Sequence, residues 1–239
     1  MKPYNEEHSK KEQVEEMFDN IAPTYDRLNH IMSFNIDRLW RRHVVRLVCG
    51  VAPRRIMDVA TGTADLAIAM AKRMPNATIT GIDLSEEMLV VGRNKVVSEG
   101  LDNRISLIKG DAEHLDMVED GVMDVATVAF GVRNFEDMEA GLKEIYRTLK
   151  SGGRLVVLEF SIPRNRLVRW FYAQYSHRLM PRIGGMISRD RAAYTYLPES
   201  VEEFPAPERF AAILEGVGFK HVKLRSQSCG IAYIYEAVK

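Results

Sequence analysis

Cysteine is nearly absent: the 239 residues hold two, Cys49 and Cys229, far apart and in no metal-ligand spacing. That excludes a disulfide framework, favours a reducing compartment, and leaves both thiols as expected buried small hydrophobes. Net charge is absent too, since Lys+Arg 33 offsets Asp+Glu 33. Without an excess of cations to neutralise phosphates, no nucleic-acid partner is expected. With 46% hydrophobic residues, the chain is also unlike a disordered one, which pairs few apolar residues with high net charge. No window nears the ~18 uninterrupted apolar residues of a bilayer span, and Met1 to His8 lacks the apolar core of a signal peptide. The expected setting is cytoplasmic, with a peripheral seat on the inner face of a membrane as the other possibility. Six histidines (His8, His30, His43, His114, His177 and His221) follow no ligand spacing, so no metal is expected.

What is present is a change of period along the chain. Val14, Met17 and Phe18 share one helical face, and Ile36, Leu39, Trp40, Val44 and Leu47 form a second stripe. The first fifty residues therefore read as helices preceding another unit. From Arg55 onward, short apolar runs alternate with helical patterns: Arg55–Ala60, Ala77–Ile82, Ile105–Ile108, Val122–Phe130 and, after a turn at Gly152-Gly153, Arg154–Phe160. Such alternation predicts βαβ units and a mostly parallel sheet covered on both faces. After Pro163 it breaks, and a helix (Pro207–Gly216) with two strands (Phe219–Arg225, Ile231–Val238) completes the sheet. The expected fold is α/β: a doubly wound, mostly parallel, seven-stranded Rossmann-like sheet with N-terminal helices and a helical insertion before the last two strands. It is read as one domain: a helical lid over 1–50, a cofactor-binding core over 51–163, a substrate- or membrane-facing insertion over 164–205, and the last helix and strands over 206–239.

Ligands of an open parallel sheet bind beyond the carboxyl ends of its strands. Three acids stand there: Asp58 inside the end of the first strand, Asp83 after the second, Asp111 after the third. One acid after a strand is usually a solvated turn or a helix cap. Three in successive loops point to a nucleoside site. The first loop, Asp58-Val59-Ala60-Thr61-Gly62-Thr63-Ala64-Asp65, contains only Gly62, whereas a dinucleotide site calls for G-x-G-x-x-G so that backbone N–H groups can approach a pyrophosphate. A carboxylate ahead of Gly62 suits a ligand with an ammonium group and no phosphate, and S-adenosylmethionine is such a ligand. Asp83 would accept from both ribose hydroxyls, Asp111 with the Ala112 N–H would read the adenine edge, and Ala129 would lie near the methionine half. An NAD-dependent oxidoreductase remains the alternative from a different class, disfavoured by the missing glycines.

Several segments carry a more specific similarity: Met17-Phe18-Asp19-Asn20-Ile21-Ala22-Pro23-Thr24-Tyr25-Asp26, the Asp58 loop, Phe130-Gly131-Val132-Arg133-Asn134, Leu158-Glu159-Phe160-Ser161-Ile162-Pro163, and Tyr194-Thr195-Tyr196-Leu197-Pro198-Glu199-Ser200. In this order and spacing the chain resembles, over almost its whole length, the C-methyltransferases of menaquinone and ubiquinone biosynthesis. The resemblance implies cofactor contacts at Thr63, Asp83, Asp111 and Ala112, and a substrate role for Arg133 and Asn134. It departs from that pattern at Ala64, where a second glycine is usual, at Phe34-Asn35, where a smaller turn is common, and at Ala129, often a serine, which leaves only a backbone contact there.

The implied reaction methylates a ring carbon of a demethylated prenylquinol, demethylmenaquinol being favoured; a ubiquinone-pathway benzoquinol, or O- or N-methylation of another small molecule, are the alternatives. Arg133 is too weak an acid to serve as a literal base, so it is assigned to stabilising a developing phenolate or orienting a water, with Asn134 fixing that geometry. The alternative is a salt bridge from Arg133 to Glu159. Tyr25, Asp26 and Asn29 are expected to close over the ring, or only to pack a helix. The insertion interleaves Arg164, Arg166, Arg169, Arg178, Arg182, Arg189 and Arg191 with Trp170, Phe171, Tyr172 and Tyr175, which suits an anionic membrane surface; a paired, core-forming helix is the alternative. The expected partners are thus a lipid-soluble prenylquinol, an anionic membrane and a homodimer mate.

Overall fold

The computed structural model describes residues 2–4, 7–33, 35–176 and 191–239. Phe34 and the arginines at 178, 182 and 189 lie outside the described residues. Three helices come first: α1 (Lys10–Ile21), α2 (Tyr25–Met32) and α3 (Ile36–Cys49). Ser9 starts α1 with a capping box, its Oγ accepting from the Glu12 N–H while the Glu12 carboxylate accepts from the Ser9 N–H at 3.0 Å. The alternating part follows: β1 (Arg55–Val59), α4 (Asp65–Arg73), β2 (Thr78–Asp83), α5 (Glu86–Ser98), β3 (Ile105–Lys109), β4 (Met123–Ala129), α6 (Met138–Thr148) and β5 (Leu149–Phe160). Ser85 caps α5 through the Met88 N–H, and Asp137 caps α6 through the Ala140 N–H. The chain then forms α7 (Arg166–Gln174), α8 (Arg191–Glu203), α9 (Pro207–Val217), β6 (Lys220–Gln227) and β7 (Ala232–Val238).

The seven strands lie in the order β3-β2-β1-β4-β5-β7-β6, with β7 antiparallel to both its neighbours and the other pairings parallel. The expected sheet is therefore the observed one. Strand order reverses between β1 and β4, so the switch point, and hence the ligand crevice, lies at their carboxyl ends. One core packs α3 and α4 on one face, a second packs α6 and α9 on the other, and a third joins α1, α2, α5 and α8 through Met17, Ile21, Leu28, Met88, Ala193 and Tyr196. That third cluster seats the N-terminal helices and the insertion beside the carboxyl edge.

Two expectations need correcting. The turn at Gly152-Gly153 lies within one strand, β5, where the pairing with β4 shifts register between Met123 and Val125. The thiols are not both buried: Cys49 ends α3 half-buried, and Cys229 is exposed in a tight turn between β6 and β7 at φ 57°, where a reversal keeps its side chain out of the sheet's core. Ala64 occupies the left-handed region at φ 64°, which explains why a glycine suits that position. Its methyl packs into the α3–α4 core, away from the loop's ligand side.

Candidate functional site

Two cavities open side by side at the carboxyl edge. The first, with about 720 Å³ of space partly open to solvent, is walled by Gly62, Asp83, Asp111, Ala112, Ala129 and Asn134 and roofed by Lys11, Val14 and Phe18 of α1. The second, with about 1310 Å³, is mostly apolar and lies between α2, α3, α7 and α8. Tyr25 and Phe130 line both, so these two rings stand where the cavities meet.

Asp83 is held at the end of β2 by two backbone donors, the Gly62 N–H to Oδ2 at 2.7 Å and the Ser85 N–H to Oδ1 at 3.0 Å. Gly62 has φ +56°, and a Cβ there would meet nothing within 4 Å, so the left-handed turn rather than crowding calls for glycine. Burial pushes the Asp83 carboxyl up to about 6, against the pull of the Ser85 and Gly62 N–H groups. Asp111 is more open. Partial burial pushes its carboxyl up, but the Glu113 N–H and Lys11 outweigh it and hold it below its usual range. Lys11 Nζ reaches Asp111 Oδ2 at 2.9 Å from α1, while its neighbour Lys10 donates to the carbonyls of Arg133 and Phe135 at 3.0 and 2.6 Å. These bonds pin α1 over the first cavity.

Asp58 and Thr63 do not reach a cavity wall. Asp58 is 1% exposed, and its two oxygens accept from Thr127 Oγ1 at 2.5 Å and Thr61 Oγ1 at 2.7 Å. It points between strands and props the glycine loop from behind. Burial pushes it too up to about 6, against the Thr127 and Thr61 hydroxyls. A carboxyl raised above its unfolded value contributes stability fully below the unfolded pKa and loses it as pH rises through about 6. Thr63 Oγ1 donates to Asp26 Oδ1 at 2.5 Å and accepts from Lys95 Nζ at 3.2 Å. Asp26 also pairs with Lys95 at 2.7 Å, so it faces α5 rather than a cavity and fastens α2 to the sheet's helices. The other two residues expected on this segment, Tyr25 and Asn29, line the second cavity.

Arg133 lines the second cavity and is also one half of a buried ion pair, with Nη1 2.6 Å from Glu159 Oε1 and side chains 5% and 0% exposed. The expected ion pair with Glu159 is thus present, and the side chain also borders the second cavity. Its Nη1 also donates to the Phe130 carbonyl at 2.6 Å and its Nε to Ser200 Oγ at 3.3 Å; Nη2 has no partner among the described residues. Asn134 Oδ1 accepts from the Tyr196 hydroxyl at 3.2 Å, which orients its amide on the first cavity's wall. Phe130 adopts φ 62°, an outlier for an aromatic residue that costs on the order of 1–3 kcal/mol and persists only where the surroundings hold it. Its N–H bonds the Leu158 carbonyl at 2.7 Å, and its ring stacks on Phe160 with centroids 4.4 Å apart. Gly131 follows because a Cβ there would come 2.4 Å from that of Ala60. Sequence reasoning missed Lys10, Lys11 and Lys95. Their partners lie far away along the chain, and no local pattern announces them.

The profile of the ubiE/COQ5 methyltransferase family matches residues 6–239. A demethylmenaquinone methyltransferase of Bacteroides fragilis is 44% identical over 239 residues, covering 100% of this chain and 97% of its own length. A ubiquinone/menaquinone biosynthesis C-methyltransferase UbiE of Geotalea daltonii is 46% identical over 231 residues, covering 96% and 97%. Among solved structures, a SAM-dependent methyltransferase of Thermotoga maritima superposes with a TM-score of 0.63 at 19% identity, covering 94% of this chain and 99% of its own; at that identity it supports the fold alone. With the profile spanning nearly the whole chain and identity of this order sustained end to end, the chain belongs to the ubiE/COQ5 methyltransferase family.

Proposed function

We propose that this chain transfers a methyl group from S-adenosylmethionine to a ring carbon of a demethylated prenylquinol, forming menaquinol from demethylmenaquinol. The observation that carries this reading is the pair of cavities meeting at Tyr25 and Phe130: one edged by acids, the other apolar and bearing a guanidinium. The family and the names of its members support it, and the oxidoreductase alternative loses its ground. The first cavity fits the cofactor by its donor set. Asp83 presents a carboxylate oriented by backbone N–H groups as the acceptor for a vicinal diol, and the Asp111–Ala112 turn offers an acceptor and an N–H for an adenine edge.

S-adenosylmethionine, when bound, supplies an electrophilic methyl group on a sulfonium. The chain's own residues do the rest. Tyr25 and Phe130 bring the ring to the junction, where reacting atoms need to sit about 3–3.5 Å apart with water excluded. Arg133 donates from Nη2 to the hydroxyl beside the reacting carbon, which lowers the cost of its ionisation and so pushes electron density onto that carbon. Asn134, held by Tyr196, orients the same oxygen or a water that accepts its proton. As the carbon–methyl bond forms the methyl–sulfur bond breaks, and the ring carbon then loses its own proton while the oxygen regains one, so that a single proton is released overall. Residues 1–50 form the lid, 51–163 the cofactor-binding core, 164–205 the substrate-facing insertion and 206–239 the closing helix and strands.

Radiolabelled methyl transfer to a short-prenyl demethylnaphthoquinol under reducing conditions tests the reading, with a benzoquinol and an unrelated phenol as comparisons. A carbon-methylated naphthoquinol is the expected product. Methyl on oxygen, or transfer only to the benzoquinol, would overturn it.

A prenyl tail must be collected from a bilayer, and α7 suits that task. Leu167, Trp170 and Phe171 are 65%, 56% and 59% exposed, and Phe171 also lines the second cavity. The described arginines are less free than the composition suggests: Arg164 pairs with Glu208, and Arg169 donates to the Pro163 carbonyl at 2.9 Å. Among the described residues no helix is long and apolar enough to cross a membrane. We expect co-sedimentation with anionic vesicles, reduced about 10-fold or more by Leu167→Ser with Trp170→Ser through lost apolar burial. Equal binding to neutral vesicles would remove the electrostatic part.

A further inference from the structure

The second cavity holds a second cation that no feature of the proposed methyl transfer uses. Of its described lining residues, only Arg41 and Arg133 are basic. Arg41 is 13% exposed at its side chain and faces the cavity from α3, on the same stripe as Ile36, Asp37 and Trp40. One helical turn back, Asp37 pairs with its Nη1; that side chain is 4% exposed and also accepts from Ser33 Oγ at 2.5 Å. Asp65 approaches the same nitrogen at 3.6 Å but pairs mainly with Lys95. The helix-tying work therefore falls on Nη1. Nε and Nη2 have no partner among the described residues.

The two arginines are placed alike about one aromatic pair. The guanidinium carbon of Arg41 is 5.8 Å from the Phe130 centroid, that of Arg133 is 5.5 Å from the Phe160 centroid, and the two rings are stacked. Both charges also act on the Tyr25 hydroxyl, Arg41 more strongly, opposing the rise that burial imposes. Two guanidiniums, each held by its own buried carboxylate, thus flank one stacked aromatic pair on the wall of the cavity.

We infer that Arg41, seated on Asp37, is a second cationic anchor of the substrate cavity: it holds the quinol oxygen remote from Arg133 and thereby selects rings that carry two oxygens over rings that carry one. The inference rests on the prenylquinol reading. A 1,4-quinol presents oxygens on opposite carbons, so a single arginine can serve only one. A ring without the second oxygen would leave the free donors of Arg41 facing apolar surface, and a site built to bond a polar group rejects an analogue that lacks it.

The test compares two ligands on three proteins by quenching of tryptophan fluorescence, Trp40 lying on the cavity wall and Trp170 on α7. The ligands are a short-prenyl 1,4-dihydroxynaphthalene kept reduced, and the same molecule lacking the hydroxyl remote from the reacting carbon. The intact protein is expected to prefer the diol by about 10- to 100-fold, the worth of one charge-assisted hydrogen bond. Arg41→Gln should lose that preference by weakening the diol alone, with S-adenosylmethionine affinity unchanged. Arg41→Lys keeps the charge and the Asp37 pair but not the fork, and should reduce the preference at least about three-fold. Undiminished preference in either variant, or equal weakening of both ligands, would overturn the anchor. An intact protein that binds neither ligand would overturn the quinol reading itself, and the anchor with it.

Discussion

Replacing Arg133 with alanine is expected to destabilise the protein severely as well as stop methyl transfer. The substitution leaves Glu159, 0% exposed, with the N–H groups of Arg133 and Phe160 for company but no cation. Breaking a buried pair by removing one partner costs about 3–5 kcal/mol, a large share of the roughly 5–15 kcal/mol that holds a domain folded. Loss of activity in that variant therefore says little by itself. The informative protein is Arg133→Gln combined with Glu159→Gln, which replaces the ion pair by two neutral side chains of similar reach. Urea denaturation should show most of the lost stability restored, because removing both charges removes the unpaired one. Methyl transfer should stay about 10²- to 10³-fold down, the usual cost of deleting a donor to a developing oxyanion, with S-adenosylmethionine bound within a few-fold of the intact protein. If activity returns along with stability, Arg133 is a structural residue alone.

Asp83→Asn should cost cofactor affinity on the largest scale of any single change outside that pair. The carboxylate is oriented by backbone N–H groups of Gly62, Leu84 and Ser85 and is the acceptor proposed for the two ribose hydroxyls. An amide turns one acceptor oxygen into a donor, which faces the Gly62 or Ser85 N–H as well as a hydroxyl. The loss of one charge-assisted bond and the weakening of another is worth about 2–4 kcal/mol, or roughly 30- to 1000-fold in Kd. Calorimetric titration reads it directly. The same group sets a pH dependence. Its pKa is about 6, so the intact protein should bind S-adenosylmethionine more tightly as pH rises from about 5 to about 7, the ionised form being the one that accepts both hydroxyls. The folding contribution runs the other way, falling over that window. A flat affinity profile in the intact protein, or the same slope in Asp83→Asn, would remove Asp83 from the ribose.

Much of this is legible in the order of the residues. The shift from helical to alternating hydrophobic period at Arg55 marks the start of the sheet, and the acids at 58, 83 and 111 mark its carboxyl edge. The F-G-x-R-N segment reads as a site, and its glycine has a steric reason in the approach of Ala60. Residue type alone does not settle the role of Arg133, because an arginine near Glu159 fits a salt bridge and a substrate donor equally well. The structure shows the salt bridge on Nη1 and leaves Nη2 without a partner among the described residues, which is the ground of the proposed donor role. The surroundings of Asp58 were hidden for a related reason. Its position at the strand end is right, but which way its carboxylate faces depends on Thr127 of a neighbouring strand, 69 residues away.

By itself, the sequence determined the α/β class, the strand-end location of the site and a cofactor without phosphate. These follow from periodicity and from residue types beside turns, both local properties that the chain carries in any conformation. Only the tertiary structure decided which side chains reach a cavity and which prop it from behind, that α1 is pinned over the first cavity by Lys10 and Lys11, and that Arg41 shares an aromatic platform with Arg133. Those facts depend on pairings between segments distant in sequence, such as Lys11 with Asp111 across 100 residues. The hydrophobic packing that creates such pairings is non-directional, so the ends of charged side chains find partners only once every layer is in place.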